Sequence, residues 1–296
     1  TLSSTTGYTS EVVNGGRVDN KGIELSLRFD DKWGDFGWST YLTYSLNKNK
    51  VVELLRNYED PYTHELTSLD RIDMGGTSMY KMILTEGGSI GDIYVNTLRT
   101  DEHGAIYVHP SDQVVVPQSD EFVKAGNSAP KYNLGWGNTF TYKGISLGCL
   151  FTARVGGIVV SQTQATMDAF GASKATADAR DNGGALVNGR PIDAEAYYTT
   201  IGGSGSQGGI GSMYVYSATN VRLAELSLGY DIPINKYVNW IKGLNVSFIG
   251  KNLFFLYRKA PFDPELTAST GTYFQGIDMF MSSSLRNLGF SVKVNF

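Results

Sequence analysis

The sequence is poor in several things at once. It has a single cysteine, Cys149, which excludes an internal disulfide framework and a cysteine-based zinc site. No apolar run approaches the roughly 18 residues of a membrane-spanning helix. Charged residues make up only 18% and hydrophobic residues 41% of the 296, and the net charge of −4 leaves no basic footprint for nucleic acid. There is no secretory leader, and residue 1 is Thr. A secreted or outer-membrane protein read this way is a mature form or a fragment. Glycine (35), Tyr (18) and Phe (14) are plentiful instead, a mixture that suits many strands joined by polar turns.

The patterning agrees with that composition. Leu288, Phe290, Val292, Val294 and Phe296 alternate with Gly289, Ser291, Lys293 and Asn295, so an extended chain here has one apolar and one polar face. The same alternation predicts strands at 17–30, 36–47, 133–142, 145–155, 220–230, 243–256 and 285–296. Two breaks in it are visible: Asn138 falls on an apolar face and Leu150 on a polar one. Leu223 is expected on the polar face with Glu225 and Ser227, and Cys149 on the apolar one. Register is open past Gly250, where a bulge is expected.

Alternation alone fits a soluble antiparallel sheet as well as a membrane barrel. Two features favour the barrel. Connections after the first, third and fifth strands are short. Those after the second, fourth and sixth (48–132, 156–219, 257–284) are long, as expected of short periplasmic turns and long extracellular loops. Near the short turns, Phe29, Phe36, Trp38, Tyr142, Tyr230 and Phe296 share the apolar face, as an interfacial aromatic girdle would. The expected fold is all-β, an antiparallel transmembrane β-barrel. Seven strands are too few and of the wrong parity for a whole one, and an open edge in lipid leaves amides unsatisfied. The chain is therefore expected to be a fragment.

Facing follows from parity. Leu25, Leu27, Trp38, Leu42, Leu147, Phe151, Leu226, Leu228, Val292 and Val294 are expected toward lipid. Glu24, Arg28, Ser39, Tyr41, Thr139, Glu225, Ser227 and Lys293 are expected toward the lumen. Arg154, also on the lumen face, and the loop aromatics Tyr107, Tyr214, Tyr216, Tyr273 and Phe274 are candidates for contact with a solute. The glycine-rich run 202–211 is expected to be flexible or tightly turning.

Catalytic signals are weak, and no enzyme, cofactor or metal site is expected. His64-Glu65 has no second histidine at zinc-protease spacing, the serines of the glycine run open no nucleophile elbow, and a P-loop lysine is absent. Asp101-Glu102-His103 reads as loop polarity. Asp263-Pro264-Glu265 reads as an acidic surface turn, with calcium ligation as the alternative.

Four segments carry a resemblance to a known family: Arg17 to Leu27 with its N-x-G-hydrophobic-E pattern, Ser128-Ala129-Pro130-Lys131-Tyr132, Leu223 to Pro233 (LAELSLGYDIP), and Gly250 to Glu265 with Gly-Lys-Asn-Leu-Phe and Phe-Asp-Pro-Glu. In their order and spacing, and with the terminal Phe296, they resemble the C-terminal barrel region of SusC/RagA-type TonB-dependent outer-membrane transporters. The resemblance implies a plugged barrel of roughly 22 strands, of which about seven are here and the plug is absent. It also implies a SusD-type surface lipoprotein as lid and TonB-driven import of a glycan or peptide across the outer membrane of a Gram-negative bacterium. Phe296 is then an expected assembly signal. The alternatives are a passive outer-membrane pore and an adhesive or structural β-protein of the cell surface.

Overall fold

The computed structural model describes residues 15–60, 64–203, 208–234, 238, 240–268 and 274–296, with 119 and 120 described by backbone alone. Its largest element is a seven-stranded antiparallel sheet, referred to below as the wall. The wall strands, in chain order, are Arg17–Trp33, Phe36–Glu53, Tyr132–Tyr142, Ile145–Val155, Asn220–Ile232, Gly243–Arg258 and Asn287–Asn295. Each pairs with its neighbours in sequence, so the wall is a simple meander. The first, second, fifth and sixth strands run further than alternation alone delimited, and the last begins at Asn287 and ends at Asn295. The barrel does not close within this chain.

Register turns the alternation of single strands into a continuous surface. One rung across the wall reads Trp38, Phe140, Leu147, Leu228, Phe248 and Phe290, and the next reads Phe36, Tyr142, Ile145, Tyr230, Val246 and Val292. The aromatic rings of this edge touch. Phe29 meets Trp38 edge-on at 5.4 Å, Trp38 stacks on Phe140 at 6.4 Å, and Trp240 stacks on Phe296 at 5.6 Å. The stretch from Phe36 to Leu46 matches the roughly 9–11 residues a tilted strand needs to cross the hydrocarbon. Among the described residues the middle of this face is open: Leu228 and Val292 are more than half exposed.

The polar intruders on that face are satisfied within the sheet, as a low-dielectric surround requires. Asn138 accepts from the indole N–H of Trp38 at 3.2 Å. The Trp136 indole donates to Thr40 Oγ1 at 3.2 Å, and that hydroxyl donates to the Gly137 carbonyl at 3.0 Å. The Trp38 indole thus accounts for the break at Asn138, and the Trp136 indole for the hydroxyl at Thr40.

One facing expectation is corrected. The register between the fourth and fifth strands shifts between Leu150 and Phe151, so that Ala224 is passed over and Leu223 pairs with Phe151. Leu223 therefore joins the apolar face, and Arg222 takes the polar one. The expected irregularity past Gly250 is present on the sixth strand, where the pairing jumps from Lys251 to Phe254 and Asn252 adopts a positive φ of 52°.

The long connections are not loops in the ordinary sense. The first holds a hairpin (Leu55–Glu59 with Leu66–Leu69) and a four-stranded sheet of Arg71–Gly76, Tyr80–Thr85, Asp92–Leu98 and Pro117–Asn127. The second holds helices α1 (Gln162–Ala169), α2 (Lys174–Asp181) and α3 (Ala194–Gly202), capped by the side chains of Ser161, Ser173 and Asp193. Ile158–Ser161 of the second pairs with Ile277–Asp278 of the third. Met79, Ile93 and Val95 from the first connection, Val160, Ile201 and Tyr214 from the second and Ile277 from the third form one buried cluster. All three connections therefore build a single cored body at one end of the wall.

The glycine run serves that core. Residues 204–207 lie outside the described residues. Gly202 is the last residue of α3, and a Cβ there would lie 2.4 Å from the Ala165 carbonyl oxygen. A Cβ on Gly211 would lie 2.2 Å from the Met79 carbonyl oxygen. Buried Asn96 clips the run in place, donating to the Gly209 carbonyl at 3.0 Å and accepting from the Gly211 N–H at 2.6 Å. Gly202 and Gly211 are required for close backbone approach, the tightly packed of the two expectations for this run.

Candidate functional site

The second face of the wall is small and polar. One of its rungs reads Thr141, Ser146, Gly229, Ser247 and Ser291. Glu24, Arg28, Ser39, Tyr41 and Glu225 all belong to it by register. Arg28 is held by Asp30 at 2.6 Å and reaches Ser39 at 3.4 Å. Glu225 lies 3.6 Å from Lys251. Tyr41 lies across its neighbour: a Cβ on the opposing Gly137 would sit 2.2 Å from the ring, so a larger residue there would push the ring aside.

Toward the end where the body sits, this face becomes charged. Arg154 and Arg222 stand on adjacent strands, with Asn220 opposite Arg154. The side chain of Arg222 is 8% exposed and lies 2.6 Å from Glu265 and 3.7 Å from Asp263. It also donates to Asn252 at 3.2 Å and stacks over Phe255 at 4.6 Å. Asn220 donates to the other Glu265 oxygen at 3.2 Å. Asp263 accepts from the backbone N–H and the hydroxyl of Ser284. The Phe-Asp-Pro-Glu segment is therefore an anchor that ties the third connection to the wall. The reading as an acidic surface turn holds at Glu265, which is exposed, and fails at Asp263, which is buried beside the Arg222 guanidinium.

Arg154 is less fully used. It donates to the Ser128 carbonyl at 2.7 Å, while its buried Nε has no partner. It lines a cavity of about 260 Å³ together with Ala129, Ile158, Glu265 and Gly276. A larger cleft, about 1060 Å³, opens in the body among Asp73, Thr77, Lys81, Asn96 and Phe122. There Lys81 pairs with Asp73 at 2.6 Å and lies 5.1 Å from the centre of the Phe122 ring. The Lys81 ammonium, assisted by the Gly75 N–H, holds the Asp73 carboxyl below its ordinary range against the opposing effect of burial. The cleft offers charge of both signs, amide and hydroxyl groups, and one ring.

The candidate loop aromatics scatter. Phe274 is half-buried, next to two residues of the Arg154 cavity, and its carbonyl accepts from Thr267 at 3.0 Å. Tyr216 is half-buried and meets Phe262 edge-on at 5.3 Å, beside the anchor. Tyr107 lies apart, under the Arg99 guanidinium at 4.9 Å. Tyr273 lies outside the described residues. Tyr214 is corrected from solute contact to core: it is 2% exposed and donates to Asp168 at 3.1 Å. Burial and the neighbouring Asp168 carboxylate push its phenol far above the usual range. Arg222, Lys81 and Phe122 escaped the sequence reading. Among the described residues no cluster of His, Cys, Asp or Glu is arranged to hold a metal ion.

No family model matches the chain. In sequence it is 28% identical over 262 residues, 78% of its length, to "TonB-dependent receptor P3" of Formosa agariphila. It is 23% identical over 90% of its length to "TonB-dependent receptor P26" of the same organism. It spans only 23% and 27% of those relatives' own lengths. In fold it is similar to the RagAB peptide transporter, with a TM-score of 0.62, 16% identity and all of this chain covering 31% of that one. Against the RagAB peptide importer in its open-open state the TM-score is 0.67, again at 16% identity, covering 30% of that chain. In sequence the chain is thus similar to part of TonB-dependent receptors, and its fold is that of a seven-stranded stretch of a RagA-type transporter barrel.

Proposed function

We propose that the full protein containing this chain imports an oligomeric nutrient, a glycan or a peptide, across the outer membrane of a Gram-negative bacterium. The observation that carries this is the two-faced wall, apolar on one face across seven strands and small and polar on the other, with every long connection gathered into one body at one end. A lipid-facing exterior, a polar lumen and an extracellular mouth account for all three. In this reading the polar rungs line the passage, and Arg154 and the Asp73–Lys81–Phe122 cleft face the solute on its way in. The body supplies the surface on which a lipoprotein lid sits. TonB acts through a plug that lies outside this chain. Similarity to the RagAB peptide importer supports the lid and an oligomeric substrate, and favours neither substrate class for this chain. The mechanism is binding and gated passage, without covalent chemistry.

The test is uptake by cells carrying or lacking the full-length protein, with and without an intact TonB system. Loss of growth on one class of oligomer in the deletion strain, restored by the wild-type protein only when TonB is functional, is the expected result. Uptake that survives loss of TonB would convert the reading to a passive pore.

A further inference from the structure

The first two wall strands carry a feature that transport does not use. Their apolar face ends at the rung Ile23–Leu46, beside the ring pair of Tyr44 and Tyr132 at 5.7 Å. One rung further toward the body, Lys21 stands directly opposite Lys48, and Lys50 follows opposite Asp19. No register shift interrupts this stretch, so Lys21, Lys48 and Lys50 project from the same face as Leu25, Leu27 and Leu42. Like charges directly opposite each other in a sheet are unfavourable.

The acids nearby do not relieve them. Asp19 has Arg17 at 3.6 Å. Glu24 points to the other face. Asp92 is buried and held by Lys124, by Asn127 Nδ2 at 2.9 Å and by the Ser89 N–H at 2.9 Å. Among the described residues none of Lys21, Lys48, Lys50 and Lys131 has an ion-pair partner. Lys48, Lys50 and Lys131 line one open cleft of about 730 Å³, together with Asn47 and Asn127.

We propose that Lys21, Lys48 and Lys50 form a site for the phosphorylated headgroup of an outer-leaflet lipid. The level is that of a headgroup: one rung beyond the apolar band and its closing tyrosines, where rings with polar tips sit. By register Lys21, Lys48 and Lys50 stand on the lipid side of the wall, so an acyl chain runs down Ile23, Leu25 and Leu27 while the phosphate meets the lysines. An anion between Lys21 and Lys48 also removes their repulsion.

The inference rests on the proposed orientation, with the body outside the cell. The full-length protein is incorporated into phosphatidylcholine nanodiscs carrying a minor fraction of diphosphoryl lipid A, and bound lipid is counted by native mass spectrometry. A lysine at an anionic headgroup is worth about fivefold in affinity. The Lys21→Gln/Lys48→Gln/Lys50→Gln variant should therefore retain the lipid on the order of 100-fold less well, while the triple arginine variant retains it and both stay heat-modifiable. A dephosphorylated lipid should bind wild type and variant alike. Equal retention of diphosphoryl lipid A by wild type and glutamine variant overturns the proposal, and so does displacement of the lipid by millimolar inorganic phosphate, which would mark a free-anion site. Labelling of Leu186→Cys by an impermeant maleimide in intact cells reports the orientation separately. A labelled body with unchanged lipid retention defeats the lipid site alone, and an unlabelled body defeats the orientation and the lipid site with it.

Discussion

An arginine placed at Leu42 and one placed at Thr43 differ by one residue and by which face of the wall they enter. Leu42 sits mid-strand on the second wall strand, between Leu27 of the first and Trp136 of the third. It is flanked by strands on both sides and is 39% exposed. A guanidinium there must enter the hydrocarbon or bend toward an interface, at about 2–4 kcal/mol near the bilayer midplane. That is roughly 30- to 1000-fold in the equilibrium between assembled and unassembled protein. Thr43 faces Ser26 and Gly135 on the polar side, where water or plug surface receives a charge, and about 0–1 kcal/mol is expected. The assay is the outer-membrane level and heat-modifiable migration of the full-length protein carrying each substitution. Leu42→Arg should fall sharply while Thr43→Arg stays near wild type. Equal levels, or the reverse order, would refute the assignment of faces on which the membrane reading stands.

Two further outcomes follow from the geometry. Arg222→Ala leaves Asp263 and Glu265 facing each other without their cation, a loss of about 3–5 kcal/mol for a buried pair broken on one side. Hydrogen exchange in 259–286 of the full-length protein should rise strongly while the wall strands stay protected, and unchanged exchange would show that the anchor is not what holds this connection. Deleting Phe296, whose ring stacks on Trp240 at an interplanar angle of 8°, should reduce outer-membrane levels of the full-length protein well beyond the ~1.5–3 kcal/mol worth of a side chain. Phe296→Tyr serves as the conservative control, and equal assembly of the two would reduce Phe296 to one more ring of the girdle.

The wall was legible because its information is local. Side-chain period is two residues, and lipid and lumen sort residues strand by strand, so Leu25, Leu42, Leu228 and Val292 could be placed without a partner in view. The errors fall where that locality fails. A single skipped residue, Ala224, reverses parity for the start of the fifth strand, which put Leu223 on the wrong face and hid Arg222. The carboxylate that Arg222 binds lies 43 positions away, and nothing in Phe-Asp-Pro-Glu identifies its partner. The body's core is harder still. Tyr214 and Tyr107 look alike in sequence, and only contacts assembled from all three connections bury one beside Asp168 and leave the other under Arg99.

The joint between wall and body follows from the same physics. The body has a core of its own, but its sheets and helices come from three connections that leave the wall at separate places. Its position is therefore set by how each connection is fastened. The first is tied at Val51, which exchanges backbone hydrogen bonds with Gly87 and Gly88 at 2.8 and 2.9 Å. The end of the first meets the start of the second at Lys131 and Gly156. The Lys131 N–H donates to the Val155 carbonyl at 2.8 Å, and its stem fills the space a Cβ on Gly156 would need. Those ties include backbone pairing, which every residue supplies, alongside the Arg154 guanidinium donating to the Ser128 carbonyl and the Ile90 N–H donating to Asn49 Oδ1. The third is tied by side chains, Arg222 and Asn220 to Asp263 and Glu265, and the Glu265 carboxylate is about one-third exposed. Side-chain ties between charged groups are the ones a solute or a partner with its own charges can compete for. The anchor at Glu265 is therefore a fastening for which a charged group can compete, and Arg154, with a buried Nε unpartnered in the cavity it shares with Glu265, is a neighbouring donor.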